Sequence, residues 1–150
     1  MELSDGTLLM NMRNYDRSAT TRAVATSRDG GMTWSQVRHD PALVEPICQA
    51  SLVRYDEATE QDRDWLLFSN PAHGESGIRR DMTVRLSRDG GKTWPVERLV
   101  WPGPAAYSSL AVLPNGVIAC LFESGQASPY ERIVLARFER RWLAGESLGP

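Results

Sequence analysis

Of the 17 basic residues in this 150-residue chain, all but Lys92 are arginine. Guanidinium forks suit the two-pronged gripping of carboxylates or phosphates, which fixes orientation as well as charge. The 4 tyrosines can act as nucleophiles only where a base stands beside them, because a free phenol ionises at a pH of about 10. Cys48 and Cys120 are too few for a disulfide framework or a metal cluster, and their apolar surroundings predict buried thiols. His39 and His73 fall in expected loops without ligand spacing, and neither takes a role. A formal net charge of −2 gives no reason to expect nucleic acid. No apolar run approaches the roughly 20 residues of a membrane-spanning helix, and no basic segment followed by an apolar one reads as a signal peptide. With 41% hydrophobic and 24% charged residues, the composition is that of an ordinary globular chain.

The elements that must position these residues are short strands. Asp5-Gly6, Asp29-Gly30, Asp89-Gly90 and Asn115-Gly116 mark tight turns, because glycine accepts positive φ without strain. Beside them lie runs rich in Val, Leu, Thr and aromatics: Thr7–Arg13, Thr21–Ser27, Gln49–Tyr55, Trp65–Asn70, Met82–Ser87, Tyr107–Leu113, Val117–Glu123 and Arg132–Phe138. Only the tail from Glu139 to Gly145 has a helical pattern, so the chain reads as all-β and antiparallel. Ser27-Arg28-Asp29-Gly30-Gly31-Met32-Thr33-Trp34 returns as Ser87-Arg88-Asp89-Gly90-Gly91-Lys92-Thr93-Trp94 after 60 residues. The hairpin Gly6–Arg13 aligns with Gly116–Glu123, Arg63–Asn70 lies between them, and Gln49–Leu52 aligns with Tyr107–Leu110. A period of about 55–60 residues suggests the blades of a propeller. About three partial four-stranded blades fit in the chain.

The repeated Ser-x-Asp-x-Gly-x-Thr-Trp resembles the Asp-box of sialidases and related propellers. It is a turn-stabilising device: Asp29 and Asp89 accept turn amides, Gly31 and Gly91 supply a left-handed residue, and Trp34 and Trp94 tuck beneath the turn. Both boxes are therefore read as structural, set apart from any active site, with both tryptophans substantially buried in equivalent positions.

Three further segments resemble those of exo-α-sialidases. Glu2-Leu3-Ser4-Asp5-Gly6 leading to Leu9-Met10-Asn11-Met12-Arg13 is similar to the hairpin bearing the second arginine of that family's triad. Phe68-Ser69-Asn70-Pro71, followed by Arg79-Arg80-Asp81-Met82-Thr83, is similar to the segment of the third. The family arginine stands two positions before an Asn or Asp, which selects Arg79 over Arg80. Ala106-Tyr107-Ser108-Ser109-Leu110 is similar to the segment of the nucleophilic tyrosine, and Leu121-Phe122-Glu123 and Tyr130-Glu131-Arg132-Ile133 follow in the family's order.

The resemblance implies that Arg13 and Arg79 hold the carboxylate of sialic acid and that Tyr107 is the nucleophile. A neutral tyrosine avoids the repulsion that a carboxylate nucleophile would meet there. It further implies that Glu123 braces the first triad arginine and that Gln49, at the repeat position of Tyr107, contacts the sugar's side chains. The implied fold is a partial six-bladed β-propeller with a short C-terminal helix. The implied activity is the release of terminal sialic acid from sialylated glycans, with no metal or organic cofactor. The family's first arginine, its aspartate acid/base and the glutamate partner of the tyrosine have no counterpart here. Residues 1–150 are thus expected to be the C-terminal portion of one propeller domain, lacking its N-terminal blades. Such a piece is expected to be inactive alone and able to self-associate through open blade edges. The readings left open are a non-catalytic Asp-box propeller binding glycans or a protein partner, which Tyr107 and the two arginines disfavour, and a trans-sialidase of the same fold.

Overall fold

A computed structural model of the chain describes residues 1–55 and 64–146. The first sheet is built from β1 (Leu8–Met12), β2 (Thr21–Ser27) and β3 (Arg38–Val44), in the order β1-β2-β3. The second runs through β4 (Ser51–Arg54), β5 (Leu66–Pro71), β6 (Arg80–Ser87), β7 (Val96–Val112), β8 (Ile118–Ser124) and β9 (Arg132–Phe138) in chain order. A short helix, α1 (Arg140–Ala144), closes the described chain and ends on Gly145 in the left-handed conformation. Every neighbouring pair of strands is antiparallel.

The Asx-Gly turns lie where the residues require them. Gly6, Gly30, Gly90 and Gly116 have φ of 80°, 71°, 71° and 76°, in the left-handed region that glycine enters freely. Two strands go beyond the sequence reading. β3 carries Pro41 and several polar residues, a composition that an end strand tolerates because one side of its backbone makes no ladder bonds. His39 consequently lies in β3, opposite Ala23, and not in a loop. The other is the first half of β7, a strand 17 residues long. Its first half pairs with β6 and its second half with β8. The register slips where Asp81 takes a φ of 65° and its carboxylate accepts the Gly103 N–H at 3.1 Å. This irregularity lets one strand end a four-stranded unit and begin the next. The expected strand ending at Asn70 is β5; Arg63, which the sequence placed at its approach, lies outside the described residues.

β5 shows why the units stack. Leu67 faces one core with Met82, Val84, Leu110, Ile118 and Phe122. Leu66 and Phe68 face the other with Leu9, Val24, Leu43 and Trp94. A strand buried on both sides must lie between two layers. Cys48 and Cys120 are buried free thiols, as their apolar surroundings predict. Among the described residues no helix is long and apolar enough to cross a membrane.

The two octapeptides fold alike at their turns. Asp29 accepts the Thr33 amide at 2.9 Å, the Thr33 hydroxyl at 2.5 Å and the Ser27 hydroxyl at 2.8 Å. Asp89 repeats the pattern with Thr93 and Ser87. The tryptophans differ in burial, against expectation. Trp94 is 8% exposed, lies 5.7 Å from Phe68 and donates its indole N–H to Asp40 of the first sheet at 3.3 Å. Trp34 is 39% exposed and donates only to the Gly31 carbonyl of its own turn, at 3.1 Å. Trp94 is enclosed because its turn faces the preceding sheet; among the described residues no further sheet lies against Trp34.

Candidate active site

The arginines sit at the end of the sheets opposite the Asp-boxes. Arg79 directly precedes β6, and Ser87, the first residue of the second box, ends that strand. Arg13 follows Met12, which pairs with Ala23 near the start of β2, whereas Leu8 pairs with Ser27 at the first box. A strand of 8 residues spans roughly 25 Å. Asp29 and Asp89 are therefore a strand's length from the arginines.

Arg13 and Arg79 line one hollow of about 340 Å³, together with Tyr15, Arg17, Pro46 and Ile47. Arg79 is held at both terminal nitrogens. Its Nη2 donates to the Ile47 carbonyl at 2.8 Å and its Nη1 to the Tyr130 hydroxyl at 2.8 Å. Burial works against its charge, but the neighbouring Cys48, Tyr130 and Tyr107 outweigh that and hold its pKa above the ordinary value. The Arg13 guanidinium stacks on Tyr15, 4.6 Å from the ring centre, and its Nε has no partner among the described residues. Cys48 lies close enough to feel both guanidinium charges, yet burial pushes its thiol up to about 11. It stays protonated and is no nucleophile at neutral pH.

Tyr107, Gln49 and Glu123 line a second hollow of about 360 Å³ with Ser108, Leu121 and Ile133. Tyr107 stands on a bulge: Ala105 pairs with Ser124 and Ser108 with Phe122, so Ala106 and Tyr107 together face Glu123. The Glu123 carboxylate accepts the Tyr107 amide at 3.0 Å, filling the place of the missing ladder bond. The Gln49 side chain is also occupied. It donates to the Ser108 carbonyl and accepts the Ser108 amide, both at 2.9 Å. Two positions along, the Ser51 hydroxyl accepts the Leu110 amide at 3.0 Å. Side chains at and just before the start of β4 thus stitch its edge to β7, at positions that the sequence repeat aligns. The two hollows adjoin where the Arg79 guanidinium lies over the Tyr107 ring, 5.6 Å from its centre.

Three contributors escaped the sequence reading. In the sequence, Tyr130 stands out only by its place in a motif. The Ile47 carbonyl turns toward Arg79 because Ile47 takes a φ of 56°, which no residue type announces. Arg22 and Glu45 form a fully buried ion pair beneath that turn. Glu45 also accepts the Cys48 amide at 2.6 Å, and Arg22 donates to the Cys48 carbonyl at 3.0 Å. Burial lowers the Arg22 pKa, and the Glu45 charge offsets part of that. In sequence Arg22 looks like any polar strand residue. A larger hollow of about 600 Å³ lies beside α1, among Val100, Phe138 and Trp142, and holds none of these residues. Among the described residues no three His, Cys, Asp or Glu side chains gather as a metal site would need.

Comparison with known proteins agrees with this architecture. The BNR repeat-like domain family matches residues 1–120. A sialidase of Micromonospora viridifaciens is 40% identical over 97% of this chain and 22% of its own length. One from Bacteroides fragilis is 34% identical over 84% of this chain and 23% of its own. Among solved structures, a Hadza microbial sialidase superposes with a TM-score of 0.76 at 37% identity, covering 92% of this chain and 26% of that one. The leech intramolecular trans-sialidase shares the fold with a TM-score of 0.80 at 23% identity, over 97% of this chain and 24% of that one. The chain spans about a fifth to a quarter of these relatives, and its sheets are part of a β-propeller. With its two Asp-boxes and the match over residues 1–120, the chain belongs to the sialidase family with BNR repeats.

Proposed function

We propose that this chain contributes the nucleophile and part of the carboxylate clamp of a retaining exo-α-sialidase, as the C-terminal portion of a longer propeller. The observation that carries this reading is the placement of Arg79. Its two terminal nitrogens each spend one N–H on protein and keep one, while its face lies 5.6 Å from the centre of the Tyr107 ring. Those remaining N–H groups, with Arg13 lining the same hollow, suit a carboxylate. In sialic acid the carboxylate is attached to the anomeric carbon, so gripping it brings that carbon toward the tyrosine.

The phenol oxygen of Tyr107 attacks the anomeric carbon, and the glycosidic oxygen leaves with a proton. The phenol's own proton passes to a base. Water then displaces the tyrosyl oxygen, returning the phenol and releasing sialic acid with retained configuration. The acid, the base and a further arginine come, on this reading, from blades outside this chain. Glu123 and Gln49 hold the nucleophile's backbone, through Tyr107 and Ser108. The substrates are sialylated glycans, and no cofactor enters. The exposed Leu121, Ile133 and Leu135 support the further reading that the isolated chain self-associates.

The test is hydrolysis of a fluorogenic sialoside by the purified chain, beside a protein extended upstream. Loss of acid–base help alone removes about 10²–10⁴-fold in rate. The chain should be inactive and the extended protein active, with Tyr107→Phe abolishing its turnover. Equal turnover by both, lost in Tyr107→Phe, would show that this chain holds the complete machinery.

A further inference from the structure

We infer that Tyr130 is a positioning residue for Arg79: its hydroxyl, presented by the β8–β9 loop, sets the direction in which the guanidinium offers its free N–H groups. The inference rests on the reading of Arg79 as a carboxylate-binding arginine.

An arginine side chain loses much rotational freedom when it is held in one pose. Arg79 is held from two sides. The Ile47 carbonyl takes Nη2, and that carbonyl is itself fixed, because Cys48 next to it is bound at both N–H and C=O by Glu45 and Arg22. On the opposite side the one hydrogen bond among the described residues is to Tyr130, which takes Nη1 at 2.8 Å, while the Tyr107 ring only lies against the guanidinium's face. Removing that hydrogen bond leaves the guanidinium free to swing about the Ile47 contact.

Tyr130 is 61% exposed and adds little to any core. The loop that carries it is nonetheless closely organised. The Glu131 carboxylate accepts the amides of Gln126, Ala127 and Ser128 at 3.0, 2.9 and 2.7 Å. The Ser128 hydroxyl accepts the Tyr130 amide at 3.3 Å, and the Gly125 amide ties the loop to the Pro104 carbonyl at 3.1 Å. Gly125 is required by space: a Cβ there would stand 1.9 Å from the Ser128 carbonyl oxygen and 2.7 Å from the Glu131 carboxyl carbon. A loop with this many internal bonds, ending in an exposed ring that meets one arginine, is organised for placement and not for packing.

The experiment compares the 150-residue chain with its Tyr130→Phe variant by NMR. The first readout is ¹⁵N relaxation of the Arg79 Nε–H, assigned with Arg79→Lys. The second is titration with N-acetylneuraminic acid. Loss of the hydroxyl should lower the Arg79 order parameter from the rigid range toward about 0.6 or below, with the backbone spectrum elsewhere unchanged. The dissociation constant should rise roughly 3- to 10-fold, the effect of one net hydrogen bond. Gly125→Ala should reproduce the loss of Arg79 order while keeping the tyrosine. An Arg79 side chain equally ordered in wild type and Tyr130→Phe overturns the inference. If sialic acid fails to bind, or binds Arg79→Lys as tightly as wild type, the carboxylate reading of Arg79 is what fails. The order parameter still decides whether Tyr130 positions Arg79.

Discussion

The Arg79 guanidinium lies 5.6 Å from the centre of the Tyr107 ring, although Arg79 stands just before β6, Tyr107 lies in β7, and the two line different hollows. That contact makes one surface of the guanidinium and the phenol. It also makes the shape of the cation matter. Arg79→Lys keeps the charge but loses the planar fork. The expected result is a roughly tenfold or larger rise in the dissociation constant for N-acetylneuraminic acid, read by NMR titration. Unchanged affinity would mean that charge alone suffices.

Both ends of the amide of Gln49, which the family resemblance assigns to the sugar's side chains, are bonded to Ser108. Gln49→Ala leaves the Ser108 backbone groups without these partners and should destabilise the chain by about 1–3 kcal/mol. Urea unfolding measures that loss. A variant as stable as wild type but weaker in sugar binding would favour the sugar-contact role instead.

The two box tryptophans should separate in a stability measurement. Trp94→Ala removes a buried ring with an indole hydrogen bond and should lower stability by roughly 3–5 kcal/mol. Trp34→Ala, at a ring 39% exposed, should lower it by distinctly less. Equal losses would contradict the difference in their surroundings.

Acid should loosen the first box. The Thr33 hydroxyl and amide, with the Ser27 hydroxyl, hold the Asp29 carboxyl at about 2, below its ordinary 3.8. Because the folded value is the lower one, the stabilisation is complete above about pH 4–5 and is lost as pH falls toward 2. Asp29→Asn should narrow the difference in urea midpoint between pH 6 and pH 3. An identical pH dependence in the variant would refute this. Asp89 is shifted in the same direction: burial opposes its ionisation, but bonds from Thr93, Ser87 and the Lys92 amide overcome that.

The strand reading succeeded where alternation and Asx-Gly turns are local signals. β2 and β9 match the expected Thr21–Ser27 and Arg132–Phe138, and the tail from Glu139 contains α1. It missed β3, whose polar residues and Pro41 carry no strand signal, and the first half of β7, which becomes a strand only by pairing with β6. For the site, the order of the family-like motifs offered Arg13, Arg79, Tyr107 and Glu123 as candidates, and the internal repeat offered Gln49. Neither could say that Gln49 spends its amide on Ser108 or that Glu123 caps the Tyr107 bulge, because those partners lie across strands.

By itself, then, the sequence determined the all-β class, the repeat and the two Asp-boxes, since each is written in contiguous residues whose backbone preferences and short-range hydrogen bonds act within a few positions. Only the tertiary structure decided which tryptophan is enclosed, that Ile47 and Tyr130 hold Arg79 between them, and that Arg22 and Glu45 are buried beneath the site. Those outcomes depend on packing between sheets and on contacts between residues 23 to 54 positions apart, distances over which no local preference in the chain can act.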